Sequence, residues 1–426
     1  MKYGKIIYVV SFPFLIFLQT NAQVEYSESI IPVTNFSAFY VDAANYKGDI
    51  PGKTKVDIYY QIPYKSLQFV KYSSNKYRAK YSFTFTVYDE EKENVIMEKT
   101  WNGKIYVDKF DDAASSKNSK FGFKSIDLKP DKYTVEFVLY DKESKKENKI
   151  EETLVVRSFS KPLQLSDILF IASEKDSQIV LNITRTVVTS DTTLYIYFEI
   201  YSDKDLTAPI EYSITDKDDN VLFRKQSGIK IIAGTNQIKK RLLKTVTTLG
   251  KQKLIIKIID PNGEATSGVA KEFIAKIKGF PASITDLDKA AEEMQYIASG
   301  EEIDYILEAK TFDEKLKRFK EFWKKKDPVP STEENSVMEE YYRRVDYANK
   351  HFKHYFEGWQ SDMGMVYIIL GPPDNVDRHP FEYDSKPYEI WYYYDINRSF
   401  YFYDDTGFGD YRLLNRDYGD WYRYKD

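Results

Sequence analysis

The sequence predicts a multidomain, β-dominated protein with two antiparallel β-sandwiches of the immunoglobulin or fibronectin type, a helical connector and a C-terminal α+β domain. Three observations lead to this prediction. The chain has 426 residues, which is more than one hydrophobic core normally serves. Aromatic residues make up 16% of the chain and 37 residues are Tyr, which favours strands. After residue 280 the spacing of apolar residues changes from strand-like to helical.

The N-terminus has the features of a secretory signal peptide over residues 1–22. Basic residues precede an apolar run at 6–18, and a short polar segment ends at Ala22. The run is shorter than a membrane span requires. We expect cleavage after Ala22, a mature protein that begins at Gln23, and a periplasmic rather than extracellular location without integration into the membrane.

The sandwich prediction rests on two series of alternating segments. Residues 23–160 form the first predicted sandwich, and residues 161–280 form the second. The same order of strands recurs, and the offset between matching positions falls from 138 (Val56 to Leu194) to 119 (Asp141 to Asp260). The second copy is therefore expected to keep the topology with shorter connections. The clearest strands of the first copy are 56–62, 81–88 and 133–140.

Residues 281–356 are predicted to form the helical connector. Apolar residues at helical spacing begin shortly after residue 281. Thr311 with Glu314 predicts a capping box for a second helix, and Ser331 with Glu334 predicts a capping box for a third. We expect the third helix to continue to the end of the connector.

The C-terminal region, residues 357–426, contains a motif rich in turn-forming residues. We expect Gly358 to leave a helix with positive φ and Gly364 to make the tight entry into a strand. Trp359 is expected to anchor the corner in the core, and Ser361 and Asp362 to accept hydrogen bonds from N–H groups freed by the turn. The apolar run 365–370 is predicted to be a strand buried on both faces. The residues assigned to this motif, all with structural roles, are Gly358, Trp359, Ser361, Asp362, Gly364, Gly371, Pro372, Pro373 and Asp374.

This motif resembles the signature of the GWxTD domain, a family of bacterial envelope proteins found mainly in Bacteroidota. The resemblance covers about residues 283–415. Ser361 stands where the family usually has Thr, and Met363 stands where an Arg usually follows the Asp. The family has no established activity, so the resemblance implies an envelope location and a fold but no reaction.

The weak candidates for a metal site are His351, His354 and His379, with Asp362 as a further ligand. The alternative for the first two is a solvated helix face near a C-terminus, where cationic His is favoured. A triad of Ser361, Asp362 and a histidine lacks a nucleophile elbow. We assign no catalytic residue and expect no cofactor.

A second acidic segment resembles a calcium loop only in part. Residues 216–220 alternate acidic and amide side chains, but Val221 occupies the position at which such loops require glycine. We expect a hairpin turn at this place.

The charge and cysteine content exclude several partners. Loss of the signal peptide removes two of the 62 basic side chains, which leaves 60 against 66 acidic ones and a formal charge of −6. The two signs are interpreted as mixed along the chain, which predicts no nucleic-acid partner. The chain has no Cys, so we expect no lipid anchor, disulfide or thiolate metal site.

The expected function is that of a non-enzymatic periplasmic scaffold that docks to another cell-envelope component. The first alternative is a glycan- or peptide-binding protein that uses C-terminal aromatic residues such as Trp391 and Trp421. The second is a metal-dependent hydrolase centred on His351 and His354.

Overall fold

The computed structural model describes residues 25–26, 38–114, 118–175, 178–191, 193–245, 247–259, 265–331, 335–380 and 386–414. The predicted signal peptide, its cleavage site and Trp421 lie outside these residues. Within the described ranges, no helix has both the length and the apolar character that crossing a membrane requires.

The first sandwich packs two antiparallel sheets around one core. One sheet has the order β2-β3-β7, and the other has the order β6-β5-β8-β9 with β4 also paired to β5. A short strand before it, β1, pairs with the last strand of the second sandwich. The elements are β1 (Glu25–Tyr26), β2 (Tyr40–Lys47), β3 (Thr54–Pro63), β4 (Val70–Ser73), β5 (Lys76–Asp89), β6 (Val95–Val107), α1 (Phe110–Ala114), β7 (Ser119–Leu128), β8 (Asp131–Asp141) and β9 (Glu147–Val156).

The second sandwich has its own core. One sheet has the order β10-β14-β11-β12 with β17 paired to β14, and the other has the order β1-β19-β18-β15-β16 with β13 paired to β19. Its strands are β10 (Leu163–Leu165), β11 (Leu169–Lys175), β12 (Gln178–Leu181), β13 (Thr186–Val188), β14 (Thr193–Ser202), β15 (Leu206–Thr215), β16 (Val221–Ile231), β17 (Gly234–Leu243), β18 (Gly250–Ile259) and β19 (Ala265–Lys276).

The two sandwiches share one strand order. The sheet β6-β5-β8-β9 corresponds to β16-β15-β18-β19, and the neighbours β3-β7 correspond to β14-β17. The equivalent hairpins have related turns that differ in length by one residue: the Asp89 carboxylate accepts from Asn94 N–H at 3.1 Å, and the Asp216 carboxylate accepts from Asn220 N–H at 2.9 Å. The repeat inferred from the sequence agrees with this topology, and the segment that resembles a calcium loop is a hairpin turn as expected.

Buried ion pairs join the two sandwiches. Lys271 on β19 is 1% exposed and its Nζ lies 2.9 Å from the Asp42 carboxylate on β2. Asp167 accepts from the Arg157 guanidinium at 2.7 Å and from Asn45 N–H at 2.9 Å. Because charges without partners are costly to bury, this network fixes one sandwich against the other.

The remaining helices and strands share a third core that extends from Ile277 to Leu413. The division predicted at residue 356 therefore does not separate two cores. The elements are α2 (Leu287–Glu292), α3 (Gly300–Leu307), α4 (Phe312–Lys325), α5 (Ser336–His351), α6 (Asp362–Leu370), β20 (Asn375–His379), β21 (Tyr388–Tyr393), β22 (Arg398–Asp404) and β23 (Tyr411–Leu413). The four strands form a sheet in the order β20-β21-β22-β23.

The prediction of a strand at 365–370 is wrong, because these residues lie in α6. Every side chain from Met363 to Ile369 is buried, so the helix is apolar all round and shows no amphipathic period. A short apolar run does not distinguish a buried strand from a buried helix. The C-terminal sheet has β20 at one edge.

Two helix boundaries also differ from the prediction. Helix α5 begins at Ser336, because the Asn335 side chain accepts from the N–H groups of Val337 and Met338, both at 3.0 Å. It ends at His351, short of the expected end of the connector. Glu334 of the predicted capping box lies outside the described residues.

Helix caps elsewhere follow the sequence more closely. Thr311 caps α4 by accepting from Glu314 N–H at 3.2 Å, while the Glu314 carboxylate accepts from Lys310 N–H at 3.3 Å. A capping box of Ser299 and Glu302 opens α3, a helix that the apolar spacing did not indicate.

Candidate functional site

The motif begins where the chain packs against α5. Residues Gly358–Gln360 form one turn of 3-10 helix. A Cβ atom at Gly358 would collide with the backbone carbonyl of Ala348, and one at Gly364 would collide with the carbonyl of Gly358. Neither glycine has a positive φ. The expected conformational role is therefore wrong, and close approach of backbones requires both glycines.

Trp359 is held through its backbone as well as its ring. The residue is 6% exposed. Its N–H donates to Asn349 Oδ1 at 3.0 Å, and its carbonyl accepts from the Tyr296 hydroxyl at 2.8 Å. These bonds tie the motif to α5 and to the 3-10 turn that follows α2.

The two polar residues of the motif are engaged by backbone groups. Ser361 is the N-cap of α6: its Oγ accepts from Gly364 N–H at 2.9 Å and donates to the Gly358 carbonyl at 2.7 Å. The Asp362 carboxylate accepts from Leu413 N–H on β23 at 2.8 Å, a partner 51 residues away. Ser361 therefore has the expected acceptor role toward the turn, and Asp362 joins the helix to the last described strand.

The end of the motif is attached to the sheet. Gly371 ends α6 with a φ of 85°, a conformation that disfavours side chains. Its carbonyl accepts from the Tyr393 hydroxyl at 2.8 Å. The Asp374 carboxylate accepts from Tyr394 N–H at 2.7 Å, beyond the two prolines.

A cleft of about 470 Å³ opens beside the motif. Its floor is a continuous group of rings: Tyr347 stacks on Tyr367 with centroids 4.3 Å apart, and Phe352 packs on Trp391 at 5.3 Å. Tyr355, at the end of the chain segment that follows α5, is 73% exposed. The aromatic residues that line the cleft are Tyr347, Phe352, Tyr355, Phe356, Tyr367, Trp391 and Tyr411.

Paired charges form the polar part of the cleft. Arg378 Nε donates to the Glu389 carboxylate at 3.1 Å, and Trp391 Nε1 donates to its other oxygen at 3.0 Å. Arg412 donates to Asp410 at 2.8 Å. Both arginine side chains remain partly exposed, so they are available to a ligand as well.

The three histidines do not form a common metal site in the described part of the chain. His351 stacks on Tyr347 at 4.1 Å and lines the cleft, and burial lowers the pKa of His351. His354 also lines the cleft and its Nε2 bonds to the carbonyl of Phe408. His379 stacks on Tyr388 and is not among the lining residues. In the part of the chain that the structure describes, no three His, Asp or Glu residues lie close enough together to hold a metal ion.

A buried carboxyl group lies behind the motif. Glu293 is 7% exposed, and the Asn349 amide donates to its Oε1 at 3.2 Å. Burial raises the pKa of Glu293 to about 7. Because Asn349 also accepts from Trp359 N–H, this carboxyl group is two hydrogen bonds from the motif. A cavity of about 150 Å³ adjoins it.

Most of the cleft residues are not indicated by the sequence. Tyr347 and His351 are four residues apart on one helix face, a spacing that a search for paired rings would have found. Tyr367 lies in the run that was predicted to be a strand, where its orientation could not be inferred. Arg378 and Glu389 lie on neighbouring strands and are brought together only by the register of β20 and β21.

A family model described as the GWxTD domain matches residues 259–417. The chain therefore contains a GWxTD domain. The match begins at the last residue of β18 and includes β19, α2 to α6 and the C-terminal sheet. The whole cleft and the buried Glu293 therefore belong to the GWxTD domain.

Solved structures are similar to the chain only weakly. A glycosyl hydrolase family 2 member from Bacteroides cellulosilyticus has 8% identity and a TM-score of 0.23, with 64% of this chain and 42% of that chain covered. Bacteroides uniformis β-glucuronidase has 9% identity and a TM-score of 0.22, with 58% and 32% covered. Red sea bream transglutaminase has 8% identity and a TM-score of 0.19, with 57% and 32% covered.

The chain spans less than half the length of each of these proteins. At such TM-scores the similarity supports no statement about activity. A comparison with curated proteins finds no match.

Proposed function

We propose that this protein is an exported, non-enzymatic interaction protein of the periplasm whose GWxTD domain docks to another cell-envelope component through the aromatic cleft. In this proposal the two sandwiches act as a spacer. They hold the GWxTD domain at a fixed distance from the envelope components that the sandwiches themselves contact. The buried ion pairs between the sandwiches support a rigid spacer, because a flexible pair would leave those charges without partners.

The observation that carries the proposal is the group of exposed rings at the cleft. Tyr355 and Phe356 are 73% and 60% exposed, and Phe408, whose carbonyl bonds to His354, is 75% exposed. Exposed rings that lie next to a lined cavity are typical of protein contact sites, where aromatic anchors contribute most of the affinity.

The bonding of the motif supports a structural rather than catalytic role. Ser361 Oγ donates its proton to the Gly358 carbonyl and accepts from Gly364 N–H, so its proton is bonded within its own turn and not to a catalytic base. Asp362 is used to hold β23. A catalytic nucleophile would instead need a neighbouring base within hydrogen-bond reach.

The alternative proposal is that the cleft binds a glycan or a peptide as its ligand. Its support is the combination of ring surfaces with two arginine–carboxylate pairs, a composition that suits a small ligand with polar groups. Binding of an oligosaccharide to the purified protein, lost on replacement of the exposed rings, would favour this alternative.

The test of the leading proposal is recovery of partners from crosslinked envelope fractions. The variant Tyr355→Ala with Phe356→Ala should lose the partner that the wild type recovers. A matched control, Phe121→Ala with Phe123→Ala, removes two exposed rings from β7 and should retain it. Equal loss in both variants, or no partner with the wild type, would count against the proposal.

Export is part of the proposal and has its own test. The mature chain in a periplasmic fraction should begin at Gln23, which intact mass determines. A product that keeps residues 1–22 would contradict this location.

A further inference from the structure

A long segment of the second sandwich carries charge of one sign. Residues 220–259 contain ten Lys or Arg and no Asp or Glu, although the whole chain has a net charge of −4. The expectation that the two signs are mixed along the chain is therefore wrong over this segment. A run of this kind on a folded surface indicates an anionic partner.

The most basic part of this segment forms one lateral side of the sandwich. Strands β16 and β17 follow each other in sequence but belong to different sheets, and each pairs with a single described strand. Both are thus edge strands. Together they contain six basic residues, which are Arg224, Lys225, Lys230, Lys239, Lys240 and Arg241. We refer to these two strands as the basic edge.

Neighbouring carboxylates neutralise only part of the basic edge. Glu174 lies 3.0 Å from Lys239 Nζ, and Glu211 lies 3.8 Å from the Arg224 guanidinium. No described carboxylate is within ion-pair distance of the other four cations. One of these, Lys240, holds its ammonium 5.9 Å from the centre of the Tyr212 ring.

The two strands of the basic edge converge around one ring. Lys225 on β16 is in register with Tyr212 on the neighbouring strand. Lys240 reaches the same ring from β17, in the opposite sheet. The basic edge therefore carries cations from both sheets of the sandwich.

The first sandwich provides an internal comparison. The equivalent strands β6 and β7 and their connection, residues 95–128, contain six basic and five acidic residues. The repeated topology therefore does not require a basic edge. Lysines on edge strands also prevent unwanted pairing, but that need is the same in both sandwiches and does not explain the difference.

We propose that the basic edge binds an acidic, extended segment of a partner protein, which adds to β16 as a further antiparallel or parallel strand. The outer backbone groups of an edge strand are available for main-chain hydrogen bonds. Side chains alternate along a strand, so Arg224 and Lys230 lie on one face and Lys225 lies on the other. An added strand with carboxylates at alternating positions meets cations on either face.

This distribution favours a strand over a membrane surface. A lipid headgroup layer contacts one plane, whereas the cations of β16 project to both sides of their sheet. The proposal concerns a surface separate from the cleft and does not depend on the function proposed for the GWxTD domain.

The test uses the full chain and a labelled peptide of 11 residues, the length of β16, with alternating Glu and Thr. Fluorescence anisotropy should detect binding that weakens by about tenfold or more when ionic strength rises from about 0.02 M to 0.5 M. A peptide with Gln in place of Glu should not bind. A peptide of the same sequence with N-methyl groups on the backbone nitrogens of three Glu and three Thr residues should bind at least about tenfold more weakly, because it lacks main-chain donors on both edges of the added strand.

Matched charge variants locate the site. Reversing the charge of three cations on the basic edge should weaken peptide binding by about tenfold or more. Replacing the same three residues with Gln should also weaken binding, without adding repulsion. The control reverses the charge of three lysines on the equivalent strands of the first sandwich and should leave the affinity for the peptide unchanged. The variants are Lys225→Glu, Lys230→Glu and Lys240→Glu, and the controls are Lys99→Glu, Lys104→Glu and Lys124→Glu.

Three results would overturn the proposal. Equal losses in both sets of variants would mean that net charge alone governs binding. Equal affinity for the N-methylated peptide would exclude strand addition. Binding to anionic phosphatidylglycerol vesicles without binding to the Glu-containing peptide would assign the basic edge to a membrane instead.

Discussion

Replacing Glu293 with Gln should remove a pH dependence from the stability of the GWxTD domain. Burial raises the pKa of Glu293 from 4.5 to about 7, against an opposing effect of Lys289. One pKa unit corresponds to about 1.4 kcal/mol, so the ionised carboxylate should cost the folded state about 3 kcal/mol. This cost is absent while the carboxyl group is protonated in both states.

The sign of this pH dependence follows from the number of protons that the folded and unfolded states bind. Between pH 4.5 and about 7 the unfolded chain has released the proton and the folded chain retains it, so the free energy of unfolding falls as pH rises. Above about pH 7 the full cost is present. Glu293→Gln should therefore match the wild type near pH 4.5 and exceed its stability by about 3 kcal/mol at pH 8.

Urea unfolding followed by Trp fluorescence measures this difference. Four of the five Trp residues follow residue 320, so the signal reports mainly on the GWxTD domain. Glu301→Gln, on the exposed side of α3, is the control and should change little at either pH. If Glu293→Gln were less stable than the wild type at pH 8, the carboxylate would be stabilised in its charged form and the reasoning would be refuted.

Three substitutions in the motif should separate packing from bonding. Trp359→Ala should destabilise the GWxTD domain by about 3 to 5 kcal/mol because it leaves a cavity. Asp362→Ala should cost about 1 to 3 kcal/mol because Leu413 N–H loses its acceptor. Urea unfolding followed by circular dichroism measures both, and a larger effect of Asp362→Ala would contradict the assignment of Trp359 as the packing anchor. Gly358→Ala should lower the thermal midpoint because its Cβ meets backbone, whereas Gly228→Ala, which meets no atom within 4 Å, should not. Equal midpoints for the two glycine variants would mean that the close approach is not required.

The sandwiches were predictable because strand alternation and turn residues act locally. Segments 56–62, 81–88 and 133–140 lie within β3, β5 and β8. The turns that begin at Asp89 and Asp216 both depend on short-range hydrogen bonds from a nearby Asn to the Asp carboxylate. The recurrence of these signals in one order was sufficient to indicate the repeat.

Helix α6 was not predicted because burial and periodicity gave no distinction between helix and strand. Its burial was expected, but a helix buried on all sides has no polar face. The informative signal was local: Ser361 as an N-cap three residues before Gly364, with Asp362 in the first turn. The same residues are also typical of a turn, after which an apolar run favours a strand.

The cleft and the basic edge were missed for different reasons. The cleft combines residues from Tyr347 to Arg412, whose proximity depends on long-range packing. The basic edge is local in sequence, but whole-chain totals conceal a one-sign segment when the rest of the chain balances it. A sliding count of charge would have found it.

Site-specific crosslinking at the cleft tests the central claim most directly. A photoreactive benzophenone residue in place of Tyr355, at the mouth of the cleft, should form an adduct with one envelope protein in living cells. The same residue in place of Phe312, which is 52% exposed on α4 of the same domain, should not form that adduct. An adduct of equal yield from Phe312, or none from Tyr355, would contradict the assignment of the cleft as the docking site.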